Sequence, residues 1–445
     1  MNDNKRIAIN SVVIFLRLCI VSMVNIIASR VVLDALGASD FGLYNVVGGI
    51  VILLNVVNTA MLATTYRYLA FEIGKKLGGN PNKIFNTSLL IHAVFAIGLI
   101  TVGIAVGDWY ICNYLNIVPD KISDAIFVFH ISIITAALST LFVPFQGLQV
   151  AYEKFTVNAA IDIISQSIKL AAIILLIYSD TNRLRLYSMI MLSYTFFSCV
   201  LYVGYCVMHY WNVIKPTVYK DSKLIKEMLQ YALWTMFGAL ASVGKSQGSA
   251  VIINFFFGTV VNAAFAVATQ IESFVLVFAR SLNSAAVPQI TKNFSGGNSG
   301  RSIKLTSYIS KYTFILMCFV AFPVLLEMDF LLSIWLKEVP EGSATFCRLM
   351  ILCALLGCLG EGIPALVNAT GNIKNYQIII HSFTLLGLPI SFVCYKLGAT
   401  PFAILKVFCC ISFLLAFIRL YLLKRIFDFD VRQFIEISFI KIGLI

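Results

Sequence analysis

Charge is what this sequence has least of. Only 12% of its 445 residues are Asp, Glu, Lys or Arg, about half the ~25% of a soluble globular chain. So few ionic groups cannot cover a surface that meets water on all sides, and a soluble domain is excluded in favour of a chain solvated by lipid. Histidine is scarce too: His92, His130, His209 and His381 stand far apart. The eleven cysteines show no CxxC or Cys/His spacing, so no metal is expected and the thiols read as buried, reduced side chains. Walker A, GxSxG and HExxH patterns are absent, and the longest outer loop expected, 328–341, is too short for a catalytic domain. No enzyme and no cofactor are expected.

What the chain has in plenty is apolar length: 60% hydrophobic residues and a mean hydropathy of +0.90. At ~20 residues per crossing it divides into twelve spans: 7–33, 41–69, 85–107, 122–148, 156–178, 184–208, 228–257, 262–287, 305–327, 342–367, 376–395 and 400–423. Turn-rich hinges such as LGASDFG (36–42), FGTVVN (257–262) and NATGN (368–372) separate them. Lys and Arg are three times as frequent in the N-terminus and the loops after even spans as in the loops after odd ones. That bias places both ends of the twelve-span unit in the cytoplasm. The start, MNDNKRIAIN, lacks a small-residue cleavage site and reads as the lead into a retained helix. Because the net charge of +12 is spread over alternate loops, no nucleic-acid partner is expected.

The chain also repeats itself. A displacement of 220 or 221 residues sets LGASDFGLYNVVGGI (36–50) on FGTVVNAAFAVATQI (257–271) and Lys83 and Asn86 on Lys304 and Ser307. The same shift sets VPFQGLQVAYEK (143–154) on IPALVNATGNIK (363–374). Six spans per repeat give both halves one topology, related by an axis along the membrane normal. The expected fold is an all-α polytopic membrane protein of two six-helix bundles, residues 1–215 and 222–423. Residues 424–445 are then an interfacial segment or an incomplete thirteenth helix.

Charges inside spans are costly and mark function or glue. Arg17, at least ~15 Å of helix from either end of the first span, is the first candidate for an anionic substrate. Lys245, flanked by small residues in SVGKSQGS, and Arg280 join it as substrate-binding candidates. Asp162, Glu272 and Glu361 are the comparably placed acids and the candidates for ion coupling or a gate. Asp162 and Lys169 share a face of the fifth span and pair with each other or with a neighbouring helix. Glu272 and Arg280 lie two turns apart, too far to pair directly, so a Lys245–Glu272 bridge between the seventh and eighth spans is expected. Glu361, in LGEGIP, sits at a break in the tenth span. Lys311, Arg348 and Lys406 are near enough to span ends to snorkel. Arg67 serves equally as an orientation anchor or a substrate contact.

The runs RVVLDALGASDFGLYNVVGGIV (30–51), TTYRYLAFEIGK (64–75) and KIFNTSLLIHAVFAI (83–97) resemble the polysaccharide flippases. These belong to the multidrug/oligosaccharidyl-lipid/polysaccharide exporter (MOP) superfamily. VPFQGLQVAYEKF (143–155) and ALVNATGNIKNY (365–376) are similar to that family's fourth and tenth helix ends. The resemblance implies a V-shaped, MATE-like transporter with a cationic central cavity, matched by Arg17 and more loosely by Lys245. It further implies an undecaprenyl-pyrophosphate-linked oligosaccharide, such as an O-antigen or capsule unit, as cargo in the bacterial cytoplasmic membrane. Membrane lipids and a glycan polymerase machinery are the implied partners, and a coupling cation or the membrane potential the implied drive. The alternatives are a multidrug cation exporter of the same superfamily and a non-transporting scaffold for glycan assembly.

Overall fold

The computed structural model describes residues 3–75, 78–113, 118–179, 181–336 and 338–426, together with Phe434. The described residues form helices and no strand. In order these are α1 (Asp3–Gly74), α2 (Pro81–Asn113), α3 (Ile122–Ala151), α4 (Phe155–Leu176), α5 (Arg183–Ile214) and α6 (Ser222–Ser295). There follow α7 (Ser299–Leu326), α8 (Met328–Trp335), α9 (Ser343–Cys358), α10 (Ile363–Thr370), α11 (Lys374–Lys396) and α12 (Ala403–Ile426). Nine of the helices among the described residues are long and apolar enough to cross a membrane, or ten if the bent α9–α10 pair is one span.

The 72 residues of α1 and the 74 of α6 would each exceed ~100 Å if straight, several times the ~30 Å hydrocarbon core. Each is broken once. Gly37 (φ 74°, ψ 167°) breaks α1 and Gly258 (φ 79°, ψ −172°) breaks α6, so each supplies two of the expected spans. This backbone region is open to glycine almost alone. The 221-residue displacement sets Gly258 on Gly37, so the repeat is carried by matching backbone as well as by letters.

The starts of α2 and α7 are capped alike, although at a displacement of 218 residues they stand two to three residues out of the repeat's register. Asn80 Oδ1 accepts from the Lys83 N–H at 3.0 Å, and Asn298 Oδ1 from the Arg301 N–H at 3.3 Å, each satisfying an orphan donor of its first turn. The third matched stretch diverges. There α3 runs unbroken through Pro144, whereas α9 and α10 meet at a 46° bend just before Pro364.

By packing, the chain forms two compact units. The N-terminal unit holds residues 13–73 and 77–232, and the C-terminal unit residues 1–12, 74–76 and 233–445. In the N-terminal unit α3 packs on α2 and α5, and α5 also on α4. Leu69, Phe85, Leu148, Cys206 and Met228 form one buried cluster there. Met228 shows why the start of α6 belongs to this unit, as does the Lys83–Asp221 ion pair at 2.7 Å. Tyr219 OH donating to Asn82 Oδ1 at 2.9 Å ties down the preceding loop. Lipid tails are as apolar as Leu, so contact between helices relies on close fit and hydrogen bonds. The bond between the Thr65 and Ser88 hydroxyls, 2.7 Å, is one such tie.

In the C-terminal unit α12 packs on α11 and α9, and α7 on α9. Many large apolar side chains point outward in both units, Leu175, Phe255 and Phe319 among them, a surface suited to lipid and unsuited to water.

Two expectations need correction or limit. Residues 328–335, read as outer loop, are helical: α8 buries Met328 and Leu332, one turn apart, and leaves Phe330, Leu331 and Ile334 exposed. An eight-residue helix with one buried stripe is too short to register as a span. The tail expectation for 424–445 falls outside the described residues, apart from the end of α12 at Ile426 and Phe434.

Candidate functional site

Within the N-terminal unit, the first arm of α1 presents Arg17 and Asn25 to α4, which presents Asp162 and Lys169. Both sets are about two helical turns apart, so the two faces meet residue for residue. Arg17 Nη1 lies 3.3 Å from Asp162 Oδ2, and the two side chains remain 24% and 26% exposed. Asp162 Oδ1 also accepts from the Tyr202 hydroxyl of α5 at 2.8 Å. Lys169 Nζ donates to Asn25 Oδ1 at 2.9 Å and lies 5.1 Å from the Tyr194 ring centroid. Asp162 and Lys169 therefore pair with the neighbouring helix and not with each other. Arg17, expected to stand open for an anion, is engaged by a carboxylate of its own chain, in a pair that stays about a quarter exposed.

Asp162 also lies in the wall of a pocket of about 400 Å³ built wholly from this unit. Asn58 of α1, Gln146 of α3, and Tyr194, Ser198 and Tyr202 of α5 share that wall. Asn58 Oδ1 is fixed by the Thr140 hydroxyl at 2.7 Å. Tyr194 OH accepts from Gln166 Nε2 at 3.1 Å, which leaves its own proton to donate elsewhere.

The C-terminal unit holds a second group of charges. Glu272 lies within electrostatic reach of both Lys245 and Arg280, yet the expected Lys245–Glu272 bridge does not form. The Lys245 ammonium sits instead over the Phe408 ring of α12, 4.7 Å from its centroid, where the ring face supplies partial negative charge without a carboxylate. Arg280 is exposed and forms no ion pair among the described residues.

Glu361 lies in the break between α9 and α10, and its Oε1 accepts from Asn283 Nδ2 at 3.2 Å. A break in a helix leaves carbonyls without partners, and here Arg419 Nη1 donates to the Gly357 carbonyl at 3.2 Å. Arg419 also lies within electrostatic reach of Glu361.

The structure thus brings Arg17 and Asp162 together in one unit, and Lys245, Arg280, Glu272 and Glu361 into one neighbourhood in the other. In each group cations exceed carboxylates by one: Arg17 and Lys169 over Asp162, and Lys245, Arg280 and Arg419 over Glu272 and Glu361. Sequence reasoning misses Arg419. Its signal is a lone cation in the apolar run FLLAFIRLYLL, near the end of the last span. It misses Tyr194 and Tyr202 as well, because a tyrosine in an apolar helix carries no mark of the partner its hydroxyl finds.

The residues set aside as peripheral have local partners. Arg348 Nη2 donates to Asp329 of α8 at 2.6 Å, and the Arg67 guanidinium packs against the rings of Tyr68, Phe71 and Tyr231. Among the described residues no cluster of His, Cys, Asp and Glu is arranged to hold a metal ion.

No protein-family model matches the chain, and no curated protein matches it by sequence. Its fold does match solved structures. A MATE transporter in the straight conformation matches with TM-score 0.81 at 15% identity, over 96% of this chain and 98% of that one. A MOP superfamily transporter from Pyrococcus furiosus, described as having a binding pocket of reverse polarity that suggests a different function, matches with TM-score 0.81 at 12% identity, over 96% of each chain. An outward-facing multidrug resistance MATE transporter of the same superfamily matches with TM-score 0.81 at 13% identity, over 95% of this chain and 97% of that one. The chain is a multi-pass membrane protein with the all-helical fold of the MATE transporters of the MOP superfamily.

Proposed function

We propose that this protein is a flippase that carries an undecaprenyl-pyrophosphate-linked oligosaccharide across the bacterial cytoplasmic membrane by alternating access. The observation that carries this reading is the unneutralised positive charge in the C-terminal unit, where Lys245 and Arg280 form no ion pair among the described residues. A cation placed mid-span costs a few kcal/mol or more, and a diphosphate would repay it through charge-assisted hydrogen bonds. Arg17 is already held by Asp162, so the first contact with the phosphates falls to Lys245 and Arg280, and Arg17 neutralises the carboxylate beside it. The Pyrococcus furiosus neighbour, with its pocket of reverse polarity, lends support by analogy of fold. A multidrug cation exporter would want a carboxylate not offset by nearby cations; Asp162 is paired with Arg17, and Glu272 lies within electrostatic reach of both Lys245 and Arg280.

The cytoplasmic N-terminus rests on the Lys and Arg bias between loops. Coupling by a cation through Glu272 or Glu361, or by the membrane potential acting on the anionic cargo, belongs to the same proposal. The test is to follow surface glycan and lipid-linked precursor together in cells carrying Lys245→Ala, Arg280→Ala or both. Loss of one charge-assisted contact, about 1.5–3 kcal/mol, corresponds to a fall in flux of roughly tenfold or more, with precursor accumulating inside and partial rescue by Arg280→Lys. Normal surface glycan in the double variant, at normal membrane abundance, would end the proposal.

A further inference from the structure

The pocket in the N-terminal unit has no part in holding phosphate, and its chemistry differs from that of the Lys245 and Arg280 region. The one carboxylate in its wall, Asp162, is neutralised from behind by Arg17, which does not itself line the cavity. A free coupling cation would have to displace a tethered one, and an anion would meet the carboxylate first. What remains on offer is neutral and polar. The Tyr194 hydroxyl has an uncommitted proton and Ser198 has no hydrogen-bond partner among the described residues; Asn58, already tied to Thr140 and Ser139, and Gln146, already bonded to Tyr202, each keep a further amide hydrogen and oxygen lone pair. Tyr194 and Tyr202 add ring surface beside these groups. The volume, about 400 Å³, falls at the small end of the range for small-molecule sites.

Hydroxyl and amide groups of both senses, ring faces and a neutralised carboxylate are the complement of a polyhydroxylated ring. We infer that this pocket is a sugar subsite that holds a neutral monosaccharide unit, while the phosphates are held elsewhere. The inference rests on the flippase reading for its source of sugar, but its site and its chemistry are separate from that reading. It assigns the N-terminal unit to glycan recognition and the C-terminal unit to charge. A subsite built on hydrogen bonds also supplies selectivity, because a sugar lacking one hydroxyl leaves a polar wall atom unpaired.

The test uses the full chain in lipid nanodiscs and saturation-transfer NMR with separate probes. These are glucose, galactose, N-acetylglucosamine and N-acetylgalactosamine as neutral sugars, inorganic pyrophosphate as the anion, and tetramethylammonium as the cation. At least one sugar should give a signal that falls about tenfold or more in Gln146→Ala with Ser198→Ala, and more mildly in Tyr194→Phe, which removes only a hydroxyl. Unchanged melting of these variants, and pyrophosphate binding equal to that of the unaltered chain, would show that they fold. The subsite is overturned if none of the sugars binds, if the variants bind them as well as the parent does, or if tetramethylammonium occupies the pocket in an Asp162-dependent manner. Pyrophosphate that ignores Lys245→Ala and Arg280→Ala would instead sink the flippase reading while leaving a sugar-binding pocket in place.

Discussion

The two units carry similar charges at similar spacing and use them differently. In the N-terminal unit Arg17 and Asn25 on α1 face Asp162 and Lys169 on α4, and both charges of α4 find polar partners. In the C-terminal unit Lys245, Glu272 and Arg280 are again about two turns or more apart, but all three lie on α6, on either side of the break at Gly258. Among the described residues no second helix presents a matching ladder, and the ammonium settles on the Phe408 ring while the guanidinium stays exposed. Pairing inside a membrane is decided by whether the partner's helix offers its group at the same height, and not by how many opposite charges the chain contains.

The sharpest contrast between the repeats lies at the break in the tenth span, and there the largest effect is expected. The Gly362 N–H donates to Ser310 Oγ at 3.1 Å, and a Cβ at this position would collide with the Thr306 carbonyl oxygen. The repeat sets Gly362 on Phe142, so one half takes a large ring where the other has no room for a methyl. Gly362→Ala should cost about 3 kcal/mol, at the upper end for overpacking, measured as unfolding free energy in mixed micelles. A cost below about 0.5 kcal/mol would mean that α7 is not pressed against the bend.

Gly37 and Gly258 are where the halves should behave alike. Gly37→Ala and Gly258→Ala each force a side chain into a backbone region that costs about 1–3 kcal/mol, and among the described residues neither glycine has a neighbour close enough to add a clash. Nearly equal losses would confirm that the repeat is one of backbone geometry. A severalfold difference would show that only one of the two helical corners is required.

Double-mutant cycles then separate the charge pairs. Arg17→Gln with Asp162→Asn should show a coupling of about 1–2 kcal/mol, between the surface and buried limits because the pair is a quarter exposed. Lys245→Gln with Glu272→Gln should couple by less than about 0.5 kcal/mol, as expected for groups not in contact. Equal couplings would remove the distinction between the units, and with it the reason for assigning phosphate to Lys245 and Arg280.

Most of the fold was legible because apolar length and the Lys/Arg bias are additive signals that survive without coordinates. The break at Glu361 showed itself through the glycines and Pro364 around it, and the breaks at Gly37 and Gly258 fell within the expected hinges. The short α8 was not legible, since eight residues with one buried stripe look like loop. The site was harder. Sequence placed Arg17, Asp162, Lys245, Arg280, Glu272 and Glu361 within the membrane but could not say who meets whom, because partner choice depends on the relative height of helices far apart in the chain. That is why the Arg17–Asp162 pair was not expected and the Lys245–Glu272 bridge was. Tyr202 and Arg419 take their roles from those same unseen heights.

The smallest effect tests the join at which the second repeat begins. Asp221 stands immediately before α6 and secures its first turn. Its Oδ2 lies 2.7 Å from Lys83 Nζ and its Oδ1 accepts from the Leu224 N–H at 3.0 Å. Lys83, and then the helix N–H, hold its carboxyl below the ordinary carboxylate range. A carboxylate whose folded pKa lies below its unfolded value of about 3.9 adds stability that is fully present above that value and is lost as pH falls through the folded pKa. Asp221→Asn keeps a capping acceptor and removes the charge, so it should melt slightly below the parent at pH 6, with the gap closing below about pH 3. A gap that stays constant down to pH 2 would mean that the helix cap, and not the charge facing Lys83, secures the start of α6.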